Sequence, residues 1–225
     1  MAGAARGDQV YATSGSDGFS FGSEAAGSDV RYRGTQSLHI AQHGKLVRYS
    51  ARATYTRTEQ GRETRVKASY VADVLPSGEL ADLSDRDPDY LTVLNQPFAA
   101  QLDAQTLADL RHLHKPLPFE FPSPFTGSSL HGFLQQRPGA RFGKHRGVAV
   151  RFEAAGIMRG SLPDRSELRL AGRIAMRGTA YYDAVTALLL ALDTTVTISG
   201  TVSNRAGNDP VRIVYARSMR AITAP

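Results

Sequence analysis

Cysteine is absent from the 225 residues. That excludes a disulfide framework, a thiol nucleophile and any thiolate-ligated zinc or iron–sulfur site. It does not fix a compartment, because a chain of this length buries enough core to need no covalent staples even where they could form. Long apolar runs are missing as well. The longest, Ala187–Leu192, is strand-sized and well short of the roughly 20 residues that a membrane-spanning helix needs. Residues Met1–Arg6 lack the apolar core of a signal peptide. Two readings follow: a cytoplasmic protein, or a periplasmic or secreted one whose signal peptide is absent. The Gly/Ser/Asp-rich stretch Thr13–Asp29, typical of the flexible start of an exported domain, favours the second. Lysine is scarce, with only Lys45, Lys67, Lys115 and Lys144, so the net charge of +6 is carried almost wholly by arginine. A basic surface attracts phosphates, anionic head groups and acidic polymers.

Catalytic signatures are equally sparse. There is no phosphate-cradling glycine loop and no His-Glu-x-x-His. Asp85, Asp87 and Asp89 have the spacing with which a calcium loop begins, but Tyr90 stands where its glycine should be and Gln96 where its bidentate acid should be. A solvated acidic loop is the expectation. His112 and His114 point apart on a helix, and no catalytic residue, metal site or cofactor is assigned. The alternative left open is a hydrolase whose acids or histidines converge only in the fold.

What is present is alternation. Val30, Tyr32, Leu38 and Ile40, then Val47, Tyr49, Ala51, Ala53 and Tyr55, then Val66, Ala68, Tyr70, Ala72 and Val74 hold period-2 apolar faces separated by turns at His43-Gly44 and Glu59–Gly61. These predict an antiparallel meander. Its apolar face is largely alanine, which leaves room for a close-packed helix or for a cavity. Strands resume at Leu130–Leu134, Val148–Ala154, Leu168–Met176, Thr179–Tyr182, Leu188–Val202 and Val211–Arg217. Leu189 and Ala191 make the start of the fifth apolar on both sides, so that end should be covered on both faces.

Between the two sets lies a middle segment, residues 82–134. It contains the acidic loop, a helix of about ten residues within Leu102–His114, and the Pro/Phe-rich run Lys115–Phe125. The organisation predicted is a flexible leader over residues 1–28 and a single β domain over 29–225. The fold class is mainly β: one strongly curved antiparallel sheet or incomplete barrel of about nine to ten strands with one short helix.

Phe119, Phe121 and Phe125 project from the Pro-rich run. They close one end of the core or line a ligand mouth together with Tyr49, Tyr70, Leu107 and Leu110. A second set, Arg48, Arg52, Arg65, Lys67, Arg169, Arg173 and Arg177, lies opposite the apolar faces of its strands. This is either a solvated outer face or one that docks on an anionic membrane or polymer. Base-stacking aromatics are not interleaved with these cations, which disfavours sequence-specific nucleic-acid binding.

The order of long meandering strands, an intervening helix with a Pro/Phe-rich loop, and further long strands from Val30 to Arg217 resembles the bacterial envelope lipid carriers of the LolA and LppX type. That resemblance implies a curved antiparallel half-barrel with helical segments closing a hydrophobic cup, and a non-enzymatic protein holding a lipid or other amphipathic ligand between sheet and middle segment. The low helical content of this chain departs from the pattern. Tyr90–Phe98 and Met176–Tyr182 look like signature segments. A basic module docking on an anionic membrane or polymer is the alternative.

Overall fold

The computed structural model describes residues 7–22, 24–75, 80–84, 102, 104–113, 115–121, 130–137, 141–142, 145–162, 165–204 and 207–222. The elements are β1 (Gly7–Phe21), β2 (Glu24–His43), β3 (Leu46–Glu59), β4 (Arg62–Val74) and β5 (Leu80–Ser84), then α1 (Ala104–Leu113). After the helix come β6 (Leu117–Phe121), β7 (Leu130–Arg137), β8 (Arg141–Phe142), β9 (His145–Leu162), β10 (Arg165–Asp183), β11 (Leu189–Asn204) and β12 (Gly207–Ala221). Eleven strands follow one path in the order β5-β4-β3-β2-β1-β12-β11-β10-β9-β7-β6, and the two-residue β8 pairs only with β9. Every pairing is antiparallel. The path does not close into a barrel, so among the described residues β5 and β6 are the two edges. The expected curved sheet with one short helix is present, with eleven strands where nine or ten were counted.

β1, β5 and β6 lie outside the expected strands, while the two stretches expected over Leu168–Tyr182 are the single strand β10. β1 comes from the supposed leader. Residues 7–21, expected to be flexible, form β1 in the middle of the sheet, hydrogen-bonded to β2 on one side and β12 on the other. Composition misleads here for a specific reason. The inward positions of β1 carry Gln9, Tyr11, Gly15, Asp17 and Phe19 rather than aliphatics, and the outward ones are small: Ala12, Ser14, Ser16, Gly18 and Ser20. Low hydrophobicity reads as disorder, but a central strand already has both backbone edges satisfied and needs only side chains that fit. β2 likewise starts at Glu24, ahead of the expected Val30.

Register carries the apolar alternation across the whole sheet. Leu38 faces Ala51, Ala51 faces Tyr70, Ile174 faces Ile198 and Ile198 faces Ile213, so all of these point to one side and are buried there. The sheet curls over this side. Tyr11 of β1 donates its hydroxyl to the Leu189 carbonyl of β11 at 2.9 Å, a strand two spacings away, about 10 Å in a flat sheet. The alanines of β3 and β4, Ala51, Ala53, Ala68 and Ala72, are buried in the same cluster and let the opposing wall come close.

At Leu188–Leu192 every residue is buried. Leu188, Leu189 and Leu192 join the interior cluster, whereas Leu190 and Ala191 are buried outside it. Ala191 sits opposite Tyr181, whose ring stands 6.2 Å from that of Phe142 in β8, so a small cover lies over the outer face there. The expectation of burial on both sides is met.

Curling forces neighbouring strands together at particular points. A Cβ on Gly34 would fall inside contact distance of the Thr54 carbonyl and the Tyr55 backbone, and one on Gly132 would meet the Glu153 carbonyl and Ala154 Cα. At Gly18 a Cβ would meet nothing within 4 Å. Gly34→Val is therefore expected to cost about 1–3 kcal/mol, the usual penalty of overpacking, whereas Gly18→Ala should be nearly neutral. Urea denaturation of the two variants checks this, and equal midpoints would show that the approach at Gly34 is not tight.

Candidate functional site

The inward face begins with the middle segment. β5 and β6 are the opposite edges of the sheet, and α1 lies between them in the chain and packs against β7. Its turns place Leu107 and Leu110 three residues apart on one face, and both are buried, as is Leu102 just before it. Gln105 and Asp109 hydrogen-bond to each other on the exposed side at 2.7 Å. The helix is thus a plug anchored by three leucines.

The expected ligand-binding residues gather on this inward side. Tyr49, Tyr70, Leu107 and Leu110 are all in the core cluster at 7% exposure or less, and Phe119 packs against it half-buried. Phe121 ends β6, but its side chain, like Phe125, lies outside the described residues. So do Asp85, Asp87, Asp89 and the segment Tyr90–Phe98. A residue lining an open cup would keep surface accessible to solvent, and the four buried ones do not. The inward side is filled in this state.

One end of the inward side is polar. Asp17 of β1 and Arg217 of β12 form an ion pair at 2.5 Å with side chains 1% and 4% exposed. Tyr32 donates its hydroxyl to Asp17 Oδ2 at 2.8 Å, and the Arg217 guanidinium lies 4.9 Å over the Tyr32 ring. Arg217 Nη1 also donates to the carbonyls of Ser16 and Ala216. Burial pushes the Asp17 carboxyl above the ordinary carboxylate range, opposed by Arg217 and by the Tyr32 hydrogen bond. Sequence reasoning missed this group. The available signal was Arg217 itself, the one charge between Val211 and Met219 on the parity that carries Val211, Ile213, Tyr215 and Met219. Gly15, directly across from it, makes the room, since a Cβ there would meet the Arg217 side chain at 2.7 Å.

The outward face holds the expected cations. Arg48, Arg52, Arg65, Lys67, Arg169, Arg173 and Arg177 all have outward parity, and all but the half-buried Arg48 are exposed. Arg48 is committed: its Nε and Nη2 donate to the two oxygens of Asp73 at 2.8 and 2.7 Å, and His43 approaches the same carboxylate at 3.4 Å. Arg177 lines a groove of about 1200 Å³ that crosses the middle of the sheet. The other five do not line it.

Both ion pairs can be tested by substitution. Removing Arg217 alone leaves a buried carboxyl without its counter-charge, so Arg217→Met should destabilise by about 3–5 kcal/mol, and adding Asp17→Asn should restore a large part of that loss. Chemical denaturation of the single and double variants decides it, and additive losses would refute the coupling. For Asp73, the Arg48 hydrogen bonds hold the carboxyl below its usual value. A lowered folded-state pKa stabilises fully above the unfolded value of about 3.9 and is lost as pH falls through the folded one. Asp73→Asn should therefore flatten the acid limb of the stability profile while leaving its shape above pH ~6 unchanged. Unfolding curves across the acid range test this.

No protein family model matches the chain, and no curated protein matches it. Among solved structures it is similar to one described as "lipid-protein interactions in lipovitellin", with 10% identity and a TM-score of 0.47. The likeness covers 100% of this chain and 26% of that one, so the chain spans about a quarter of that protein's length.

Proposed function

We propose that the protein is a non-enzymatic holder of an acyl chain or similar apolar ligand, which lodges between the curved sheet and the middle segment by taking the place of the α1 plug. The observation that carries this reading is that β5 and β6 are the terminal strands of a sheet that does not close, while Leu102, Leu107 and Leu110, between them in the chain, are buried in its core. The magnitudes suit an exchange. Burying three leucine side chains is worth about 5–9 kcal/mol, and an acyl chain contributes about 0.8 kcal/mol per buried methylene. A chain of about ten methylenes therefore matches what α1 supplies, so the plug can be displaced without unfolding the sheet. The alanine wall of β3 and β4 gives a smooth, shallow surface against which a linear chain can lie. The proposed setting is a bacterial envelope compartment, where free acyl chains and lipids need carriage through water.

Native mass spectrometry after mild purification, with solvent extraction of any bound lipid, is the direct test. The sharper one uses Leu110→Ala. In the ligand-free protein this truncation should cost about 2–5 kcal/mol, as an emptied core leucine site does. A fatty acid that fills the vacated space should raise the midpoint of the variant more than that of the wild type, because ligand binding to the native state alone stabilises it by mass action. If neither protein co-purifies with lipid nor takes up a fluorescent fatty acid, and the midpoint of Leu110→Ala does not respond, the reading is wrong and α1 is ordinary core.

A further inference from the structure

The outward groove carries cations that no described residue neutralises. Arg31, Arg33, Arg137, Arg151, Arg177 and Arg217 line it together with Glu63, Glu153 and Asp193, and Arg217 is committed to the buried Asp17. Arg151 is paired with Glu153. Asp193 is held from outside by both guanidinium bonds of Arg220 and by the Ser218 hydroxyl. Arg31 reaches only Asp29, at 3.6 Å with both groups exposed. Among the described residues, that leaves Arg33, Arg137 and Arg177 without an ion pair, against Glu63 alone. They come from β2, β7 and β10, distant strands that the fold aligns along one track.

We propose that this groove is a second binding site, for an extended acidic polysaccharide bearing carboxylate or sulfate groups along a hydroxyl-rich backbone. Four features select that occupant. The volume exceeds the roughly 300–1,000 Å³ of sites for drug-sized ligands, which suits a segment of polymer. The floor is rich in hydroxyls, including Ser14, Ser16, Thr58 and Thr195, which exchange hydrogen bonds with a hydrated chain as water does. The described lining contains no leucine, isoleucine, valine, phenylalanine or methionine, so a bilayer would gain no apolar insertion, and a concave track offers a flat membrane few of its cations. Single-stranded nucleic acid needs stacking rings in succession, and among the described lining residues only Tyr181 and the buried Tyr32 are aromatic. A second groove of about 570 Å³ shares Glu153, Arg177 and Thr195 with the first. It continues the track past half-buried Phe133, whose ring offers an apolar face to a pyranose.

Binding of heparin oligosaccharide and polygalacturonate is measured by calorimetry at about 20 mM and about 0.5 M salt, with dextran, a DNA oligonucleotide and phosphatidylglycerol vesicles as comparisons. The proposal expects both acidic polysaccharides to bind at low salt and dextran not to bind. Replacing Arg33, Arg137 and Arg177 together by glutamine should weaken binding by about tenfold or more, since removing each charge-assisted hydrogen bond reduces affinity several-fold. Arg169→Gln with Arg173→Gln, exposed on the same face but outside the groove, should change it by less than about threefold. Arg137→Gln alone, at the exposed end of β7, keeps the test open if the triple variant misfolds, and should by itself weaken binding several-fold. Equal weakening by the groove and off-groove variants would overturn the proposal in favour of undirected surface charge. So would DNA or vesicles binding as tightly as the polysaccharides, or no binding at all. Because fatty-acid uptake is read on the inward side, either outcome there leaves this result independent.

Discussion

A single sheet with one apolar side has to find something to cover that side, and this structure is arranged around the requirement. Eleven strands present their apolar residues in one direction, and exposed apolar area on that scale is unfavourable in water by roughly 25 cal/mol for each Å². With one helix and no second layer of strands among the described residues, most of the cover must come from the sheet itself. Curling is accommodated locally, at glycines such as Gly34 and Gly132, where no Cβ would fit. The chain adds α1, whose Leu107 and Leu110 are buried in the same core.

The pairing of the first and last strands in the middle of the sheet has its own consequence. β1 and β12 are neighbours, so the loop they close is nearly the whole chain and their pairing carries a large entropic cost. The Asp17–Arg217 pair sits at that junction, buried and reinforced by Tyr32 and by carbonyls of both strands. An ion pair so placed discriminates against slipped registers, since a shift of one residue would put one of the two charges on the outward face and leave the other buried without its partner. Apart from the small cover over Leu190 and Ala191, the outward face has no layer packed on it among the described residues, which is why it can hold arginines drawn from distant strands along one groove.

Much of this was legible in the residues. The meander of β2, β3 and β4, the helix of ten residues, the extended path after it and the doubly covered start of β11 all follow from period, turn residues and proline. The inward and outward sets separate by parity alone, so Tyr49, Tyr70 and Ala72 fall on one side and Arg52, Lys67 and Arg173 on the other, as the alternation required. β1 was not legible, because its inward positions are filled by Gln9, Gly15 and Asp17, whose fitness depends on partners far along the chain.

Alternation by itself determined most of the strands and the faces they present, because a period of two is a local property that survives whatever the strands later pair with. Only the tertiary structure decided which residues meet. That Arg217 belongs to Asp17, that Arg48 is committed to Asp73 while Arg177 faces the groove, and that the leucines of α1 join the core of the sheet are facts of pairing order and curvature. Those arise from contacts between residues up to about two hundred positions apart, for which no local pattern carries a signal.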